Sequence, residues 1–384
     1  MPAITETVLF LVRSLGRGGA ERQLVALAKG LSRQGYPVAV ALFFGGGVFV
    51  AELAAAGVRV IDLRKQGRWD VLPFLFRLAR VLRDESPAVL HGYLSVPNIL
   101  CVLFKPLLRG TRVVWGVRAS NMDLSRYDWL SRVAFMLECR LARFADCIIA
   151  NSYAGMRHAV KHGFPESKTV VIPNGIDTDY FQFDPDSRKR LRAEWKLVDD
   201  VVLVGLVGRI DPMKDHATFL EAASRIAAKR PAVRFVCVGD GLPAYAPSIK
   251  RLAASLGLEN RLIWAGARDD MPAVYSALDI ACSSSAFGEG FANTIAEAMA
   301  CAAPCVVTDV GDSALVAGPA ATIVAPGDGA ALARGVLDLI DLAATQRRAL
   351  GAACRQRIVA EFAVNRLVQR TELVLGLTKM ARQA

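Results

Sequence analysis

The sequence predicts an α/β protein built as two doubly wound domains in series. Three observations carry that expectation. The chain has 384 residues, beyond the size at which one hydrophobic core normally keeps growing. Short apolar β-rich runs alternate with helical stretches, as in a parallel sheet covered on both faces. That alternation then restarts halfway along the chain.

In the first half, VLFLV (8–12), VAVALF (38–43), VRVIDL (58–63), AVLHG (88–92), VVWGV (113–117), CIIAN (147–151) and VVIPN (170–174) are expected as strands. Apolar or amphipathic helices are expected between them, including 20–34, 71–83, 125–144 and 152–162. Residues 174–190, NGIDTDYFQFDPDSRKR, mix Gly, Pro, Asp and basic residues as an exposed linker would. The second half repeats the scheme with strands at 201–208, 233–239, 261–266, 280–284, 304–309 and 321–325. Its helices are expected near 215–229, 246–256, 271–277, 292–301, 313–317 and 329–340, and residues 344–375 are helical in period. The expected domains are 1–180 and 181–355, followed by a terminal helical segment, 356–384. Open sheets of this kind bind ligands beyond the carboxyl ends of their strands, so two such edges are expected to face a central cleft.

Composition is globular, with 53% apolar and 22% charged residues. The cysteines, Cys101, Cys139, Cys147, Cys237, Cys282, Cys301, Cys305 and Cys354, lie mostly among apolar neighbours. Their spacing makes neither a disulfide framework nor a zinc site, so buried thiols in a reducing compartment are expected. The N-terminus carries Glu6 and no initial basic region, and reads as a first strand rather than a secretion signal. The longest uncharged stretch, 87–104, contains Pro87, His91, Pro97 and Asn98, poor material for a membrane span and better read as strand, loop and helix start. A cytoplasmic location is expected.

Charge is uneven. Residues 1–190 hold 26 Lys/Arg against 16 Asp/Glu, a net of +10 out of +11 for the whole chain. Such an imbalance points to an anionic partner for the first half: a phosphorylated acceptor, or an anionic membrane surface that would hold the protein peripherally. A basic, merely solubilising surface is the plainer alternative. No zinc-finger, RNA-binding or recognition-helix pattern accompanies the charge, so no nucleic-acid partner is expected.

Three stretches could carry chemistry. SLGRGGAERQ (14–23) sets Gly16, Gly18 and Gly19 between a strand and a helix, where backbone N–H groups can approach a phosphate or simply form a tight turn. GRIDPMKDHATFLEA (208–222) places Arg209 and Lys214 near a helix start, suited to a diphosphate, with Asp211 and Asp215 available to orient them. FGEGFANTIAEAM (287–299) places Glu289 in a loop and Glu297 within the following helix. Glu297 suits a pair of adjacent hydroxyls such as a ribose diol, while N–H groups near Gly290, Phe291 and Ala292 are helix-start donors. Ordinary helix-solvating carboxylates remain the alternative on spacing alone.

The ordered set GGAE (18–21), NS (151–152), IPNGID (172–177), GR…KD (208–215), GDG (239–241) and E-x7-E (289–297) resembles the retaining glycosyltransferases of family 4. The resemblance covers almost the whole chain. It implies two Rossmann-like domains of GT-B type, an N-terminal one for the acceptor and a C-terminal one for a nucleotide sugar. By that resemblance Arg209 and Lys214 bind the donor diphosphate and act in catalysis together with Glu289, which lies by the transferred sugar. Gly290, Phe291 and Ala292 would read that sugar's hydroxyls, and Glu297 would bind the ribose. Gly18 and Gly19 would lie against the diphosphate, Ala267 and Arg268 would adjoin the nucleobase, and the last helix would cross back to the first domain. Where many family members carry a histidine, this chain has Arg118, with Asn121 nearby; both are candidate sugar or acceptor contacts, as are His91 and His216.

Asp177 and Asp179 spell a DTD, which signals a metal in other glycosyltransferases, but they sit inside IPNGID without further ligands. No metal and no cofactor is expected; the nucleotide sugar, a UDP-sugar by family preference, is a substrate. The expected reaction retains anomeric configuration and delivers the sugar to a glycan or polyprenyl-diphosphate-linked acceptor, in polysaccharide, lipopolysaccharide or glycoconjugate synthesis. Competing readings are a sugar-nucleotide epimerase or phosphorylase of the same fold, and a non-catalytic nucleotide-sugar-binding scaffold.

Overall fold

The computed structural model describes residues 7–16, 18–67, 69–118, 129–198 and 200–377. The chain divides into two compact units, residues 1–175 with 364–384, and residues 176–363. Each is a parallel sheet between helices.

The first unit contains β1 (Val8–Val12), β2 (Val38–Leu42), β3 (Arg59–Asp62), β4 (Val89–Tyr93), β5 (Arg112–Val117), β6 (Cys147–Ala150) and β7 (Thr169–Val171), in the order β3-β2-β1-β4-β5-β6-β7. Around them lie α1 (Gly19–Arg33), α2 (Val50–Ala55), α3 (Leu72–Glu85), α4 (Ser95–Phe104), α5 (Trp129–Leu141) and α6 (Tyr153–Lys161). Side chains alternate across the strands. Phe10, Val12, Val38 and Val40 join one core with Leu24 and Leu27 of α1, whereas Leu9, Leu11, Ala39 and Ala41 join another with Phe74, Leu78 and Leu82 of α3.

The second unit repeats the plan. It holds α7 (Pro185–Glu194), β8 (Leu203–Val207), α8 (His216–Lys229), β9 (Arg234–Val238), α9 (Ala246–Ser255), β10 (Leu262–Gly266), α10 (Met271–Ala277) and β11 (Ile280–Ser283). Then follow α11 (Asn293–Ala300), β12 (Cys305–Thr308), α12 (Ser313–Ala317), β13 (Thr322–Val324), α13 (Gly329–Asp341) and α14 (Ala344–Glu361). Strand order is β10-β9-β8-β11-β12-β13, so crossovers reverse direction between β8 and β11. In the first unit the same reversal falls between β1 and β4.

α15 (Val364–Leu375) belongs to the first unit and packs on α1, its Val368 filling the space a side chain at Gly30 would need. Burying Leu367 and Val368 stabilises that packing by about 1.5–3 kcal/mol each. Where the first unit ends, Gln23 of α1 donates to the Gly175 carbonyl at 2.9 Å and accepts the Gly175 N–H at 2.8 Å. Gly175 has no room for a side chain, since a Cβ would stand 2.8 Å from the Val364 Cα. In the second unit the Ile176 N–H donates to the Phe362 carbonyl at 2.7 Å.

All thirteen expected strands are present, their ends within three residues of the expected bounds. The helices differ more. The stretch expected as a linker, 174–190, runs into the first part of α7, which went unexpected because this helix is not held by an apolar stripe. Leu191 is its only large buried apolar residue, while Arg188 bonds the carbonyls of 276–278 and Asp279, and Arg192 reaches Ala277 and Asp279. α4 lies in the stretch read as strand, loop and helix start, and Pro97 occupies its first turn, where a missing N–H breaks no helical bond. α2, a six-residue helix, was not expected either. Residues 344–375 form two helices, interrupted at Phe362 and Ala363. All eight cysteines are free and seven are buried, burial pushing their thiols up, Cys282 to about 12. Among the described residues no helix is long and apolar enough to cross a membrane.

Candidate functional site

The loops after β8 and β11 flank the point where the second sheet reverses its crossovers, the position at which open α/β sheets leave a crevice. They are tied together. The Ala286 N–H donates to the Met213 carbonyl at 2.9 Å, and Ser284 Oγ lies 2.8 and 2.9 Å from the carbonyls of Lys214 and Asp215. Gly288, at φ +77°, passes so close to Met213 that a Cβ would stand 2.9 Å from its sulfur.

Asp211 shapes the first loop. Its buried carboxylate accepts N–H groups from Met213 (3.0 Å) and Lys214 (3.1 Å), and Arg209 Nε donates to it at 2.6 Å. The Arg209 side chain nevertheless remains two-thirds exposed, so its remaining donors can meet a ligand. Asp215 does not pair with either cation. Held at φ 45°, it caps α8 by accepting the Thr218 N–H at 3.2 Å and hydroxyl at 2.5 Å.

Lys214 runs its methylene stem over Gly208 and pairs with Oε1 of Glu289, which also accepts the Ser285 hydroxyl at 2.7 Å. Both partners are largely buried, so the ammonium is aimed rather than free to wander. Gly311, at φ +63°, lies against the Glu289 carbonyl where no side chain fits, and the Asp312 N–H donates to the Gly290 carbonyl at 3.1 Å. The loop carrying Glu289 and Gly290 is thereby braced from behind. Phe291 and Ala292 are buried, Phe291 edge-on to Phe362. Ala292 supplies no side-chain cap to α11, and the first N–H of the helix, that of Asn293, donates to the Phe291 carbonyl at 2.9 Å. Glu297, on the second turn of α11 and 3% exposed, accepts the Tyr275 hydroxyl at 2.8 Å through Oε2.

Arg209, Asp211, Lys214, Ser285 and Glu289 therefore form one hydrogen-bonded cluster, and α11 carries Glu297 away from it. Arg268 stands apart. It follows β10 at the sheet edge, its guanidinium bonded to Asp270 at 2.8 and 2.9 Å and to Glu194 at 2.7 Å. The adjacent Ala267 N–H donates to Asp240 at 3.1 Å. Ser284, Ser285 and Tyr275 were missed in the sequence reading. A run of three serines closing β11 was the only available signal for the first two, and Tyr275 lies 22 residues before its partner.

His216 opens α8 with no exposed surface, and neither ring nitrogen has a hydrogen-bond partner among the described residues. Burial, opposed by Asp211 and assisted by Lys214, lowers its pKa to about 4, so it is neutral at pH 7. A depressed folded pKa makes the unfolded chain the stronger proton binder. This residue's share of stability is complete above about pH 6.5 and is lost as pH falls toward 4, a cost of about 3 kcal/mol. His216→Gln should shrink the drop in melting temperature between pH 7 and pH 4; an unchanged drop would show that another group causes it.

In the first unit, Arg118 follows β5 and stacks over Tyr93, its carbon centre 4.4 Å from the ring centroid. It donates to the Tyr93 hydroxyl at 2.6 Å and to Asn174 Oδ1 at 3.4 Å. His91 is fully buried, its ring 4.9 Å from Tyr93 and 5.3 Å from Phe10, and burial beside Arg118 holds its pKa well below the usual histidine range. Asn121 lies outside the described residues. At the glycine turn, the Glu21 carboxylate occupies the space a side chain on Gly18 would take, and Gly19 begins α1. Asp177 accepts the N–H groups of Asp179 (3.2 Å) and Tyr180 (3.0 Å), which makes it a turn former. Among the described residues no group of three or more His, Cys, Asp or Glu is placed to hold a metal ion.

Two family models match consecutive stretches of the chain: Glycosyltransferase Family 4 over residues 17–180, and Glycosyl transferases group 1 over residues 202–341. The chain belongs to glycosyltransferase family 4. Among curated members similar to this family 4 chain, a D-inositol 3-phosphate glycosyltransferase of Geodermatophilus obscurus is 34% identical over 56% of the chain and 51% of its own length. A GDP-mannose-dependent alpha-(1-6)-phosphatidylinositol monomannoside mannosyltransferase of Mycolicibacterium smegmatis is 28% identical over 64% of the chain and 66% of its own length. The chain spans about half the length, or less, of the first curated relatives it matches. Anabaena Alr3699/HepE, solved with UDP-glucose, superposes with a TM-score of 0.84 at 24% identity, covering 97% of this chain and all of the other. That likeness gives the family 4 chain the GT-B fold, two Rossmann-like domains.

Proposed function

We propose that this chain is a retaining glycosyltransferase moving a sugar from a nucleoside diphosphate, uridine being the preferred base, to a hydroxyl of a glycan or lipid-linked acceptor. The observation that carries this reading is the Arg209–Asp211–Lys214–Glu289 cluster at the crossover reversal of the second unit, in a family 4 chain. Arg209 and Lys214 take up the charge that grows on the departing diphosphate, and Glu289 holds Lys214 in place beside the sugar. Glu297 binds the ribose diol, and the start of α11 offers N–H groups to the sugar. Arg268 adjoins the base through its position after β10, its guanidinium being engaged elsewhere. Gly18 and Gly19 are phosphate contacts, Arg118 and Asn121 serve the sugar or acceptor region, and the fully buried His91 and His216 act there only through their neighbours, His91 through Tyr93 and His216 beside Lys214.

In the transfer, the bond from the anomeric carbon to phosphate oxygen breaks and a bond to the acceptor oxygen forms on the same face. The acceptor proton passes to the departing phosphate oxygen, and the protein contributes placement and charge. The names of relatives support a phosphorylated or lipid-linked acceptor, since one is described as acting on D-inositol 3-phosphate and another on phosphatidylinositol monomannoside. The net of +10 in residues 1–190 supports an acceptor of the polyprenyl-diphosphate type, reached from the cytoplasmic face of an anionic membrane.

Product analysis tests the reading. Uridine and guanosine diphosphate sugars are incubated with water-soluble and lipid-linked acceptors, and the released nucleotide and product anomer are identified. Acceptor-dependent nucleotide release with retained configuration is expected. Acceptor-independent epimerisation, phosphate-dependent cleavage of a glycan, or binding without turnover would each replace it.

A further inference from the structure

α5 is turned opposite to an ordinary surface helix. Phe135 and Glu138 face inward, whereas Trp129, Leu130, Val133, Met136 and Leu137 are 41–68% exposed. Its inward carboxylate explains the orientation. Asn98 of α4 donates to Glu138 Oε1 at 2.9 Å and to the Gly116 carbonyl at 3.3 Å, and accepts the Gly116 N–H at 3.3 Å. The same face continues on the neighbouring helix. Lys105 just past α4 bonds the Phe144 carbonyl and Asp146, so the ends of α4 and α5 lie together, and Leu103, Leu107 and Phe144 are 48–70% exposed there.

Charge identifies what covers this face. Residues 94–118 and 129–146 contain seven Lys/Arg and two Asp/Glu. Of the two acids, Glu138 is buried and Asp146 pairs with Lys105. Arg109, Arg132, Arg140 and Arg143 are exposed around the apolar side chains. A second copy of the chain docked by a twofold axis would bring these cations against themselves. Exposed apolar residues rimmed by Arg and Lys suit the headgroup boundary of an anionic bilayer.

We infer that the α4–α5 face is a peripheral membrane-docking surface for anionic phospholipid, with Glu138 fixing the helix so that its apolar residues point outward. This deepens, and rests on, the reading of a membrane-linked acceptor.

The test is co-sedimentation of the full chain with phosphatidylcholine vesicles, with and without about one-third phosphatidylglycerol, at low and high salt. Wild type should partition onto the anionic vesicles and be released by salt. Removing three cations (Arg132→Gln, Arg140→Gln, Arg143→Gln) should weaken partitioning roughly a hundredfold, at about fivefold per cation. Met136→Gln with Leu137→Gln should weaken it about tenfold or more. Both variants should keep the wild-type melting temperature and its shift with a nucleotide sugar. Should the apolar double variant fail to fold, the arginine variant alone decides. Equal retention of variants and wild type would overturn the inference, as would indifference to anionic lipid. So would a concentration-dependent dimer that the apolar substitutions dissolve. Loss of vesicle binding with an intact nucleotide-sugar shift removes only the docking surface; vesicle binding without any nucleotide-sugar response removes the transferase reading instead.

Discussion

Lys214→Ala is expected to reduce sugar transfer by about 10²–10³-fold, the usual loss when one preorganised charge is taken from a developing anion. Lys214 is held for that task by its pairing with Glu289, whose carboxylate is also bonded by Ser285. Removing the ammonium therefore does a second thing. It takes the paired ammonium away from the carboxylate of Glu289, 6% exposed, which should cost about 2–3 kcal/mol of stability. The two effects separate in Lys214→Ala combined with Glu289→Gln, since a neutral amide tolerates the loss of the ammonium better than a carboxylate does. Melting temperature should recover in that double variant while turnover stays low. If turnover recovered along with stability, Lys214 would be a structural cation only. Steady-state assays and thermal melts on the four proteins measure both quantities.

The second large effect belongs to Glu297. Its buried carboxylate keeps one side on Tyr275 and is assigned to the ribose diol. A charge-assisted hydrogen bond is worth about 1.5–3 kcal/mol, so Glu297→Ala should raise the donor KM by about 10–100-fold. Because the ribose is unchanged in the reaction, the interaction is the same in ground and transition states, and kcat should stay within about threefold. Glu297→Gln can still accept from Tyr275 and should preserve melting temperature while losing much of the donor affinity. A fall in kcat with KM unchanged would remove Glu297 from the ribose and place it in the chemical step.

The sheets were legible because their inner strands, such as β1, β2, β4, β11 and β12, are short, largely apolar and buried throughout, a pattern that little else produces. What escaped notice were elements held by polar contacts. α7 is fixed by Arg188 and Arg192 reaching carbonyls and Asp279 across about ninety residues of sequence, and no periodicity announces that. The cations and carboxylates of the site were visible as residue types, but not their pairing. That Lys214 reaches Glu289 while Asp215 turns away to cap α8 depends on a left-handed residue at the loop end. Ser285 and Tyr275, which hold the two glutamates, come from a strand end and a separate helix. α5 would be read from sequence with its apolar side inward. Glu138 and Asn98 reverse it, forty residues apart.

A crystal structure of the chain with a nucleotide sugar bound tests the central assignment most directly. The diphosphate should meet the guanidinium of Arg209 and the ammonium of Lys214, with the ribose hydroxyls about 2.6–3.2 Å from the Glu297 carboxylate. A nucleotide bound elsewhere, with these three side chains arranged as they are without it, would contradict the account.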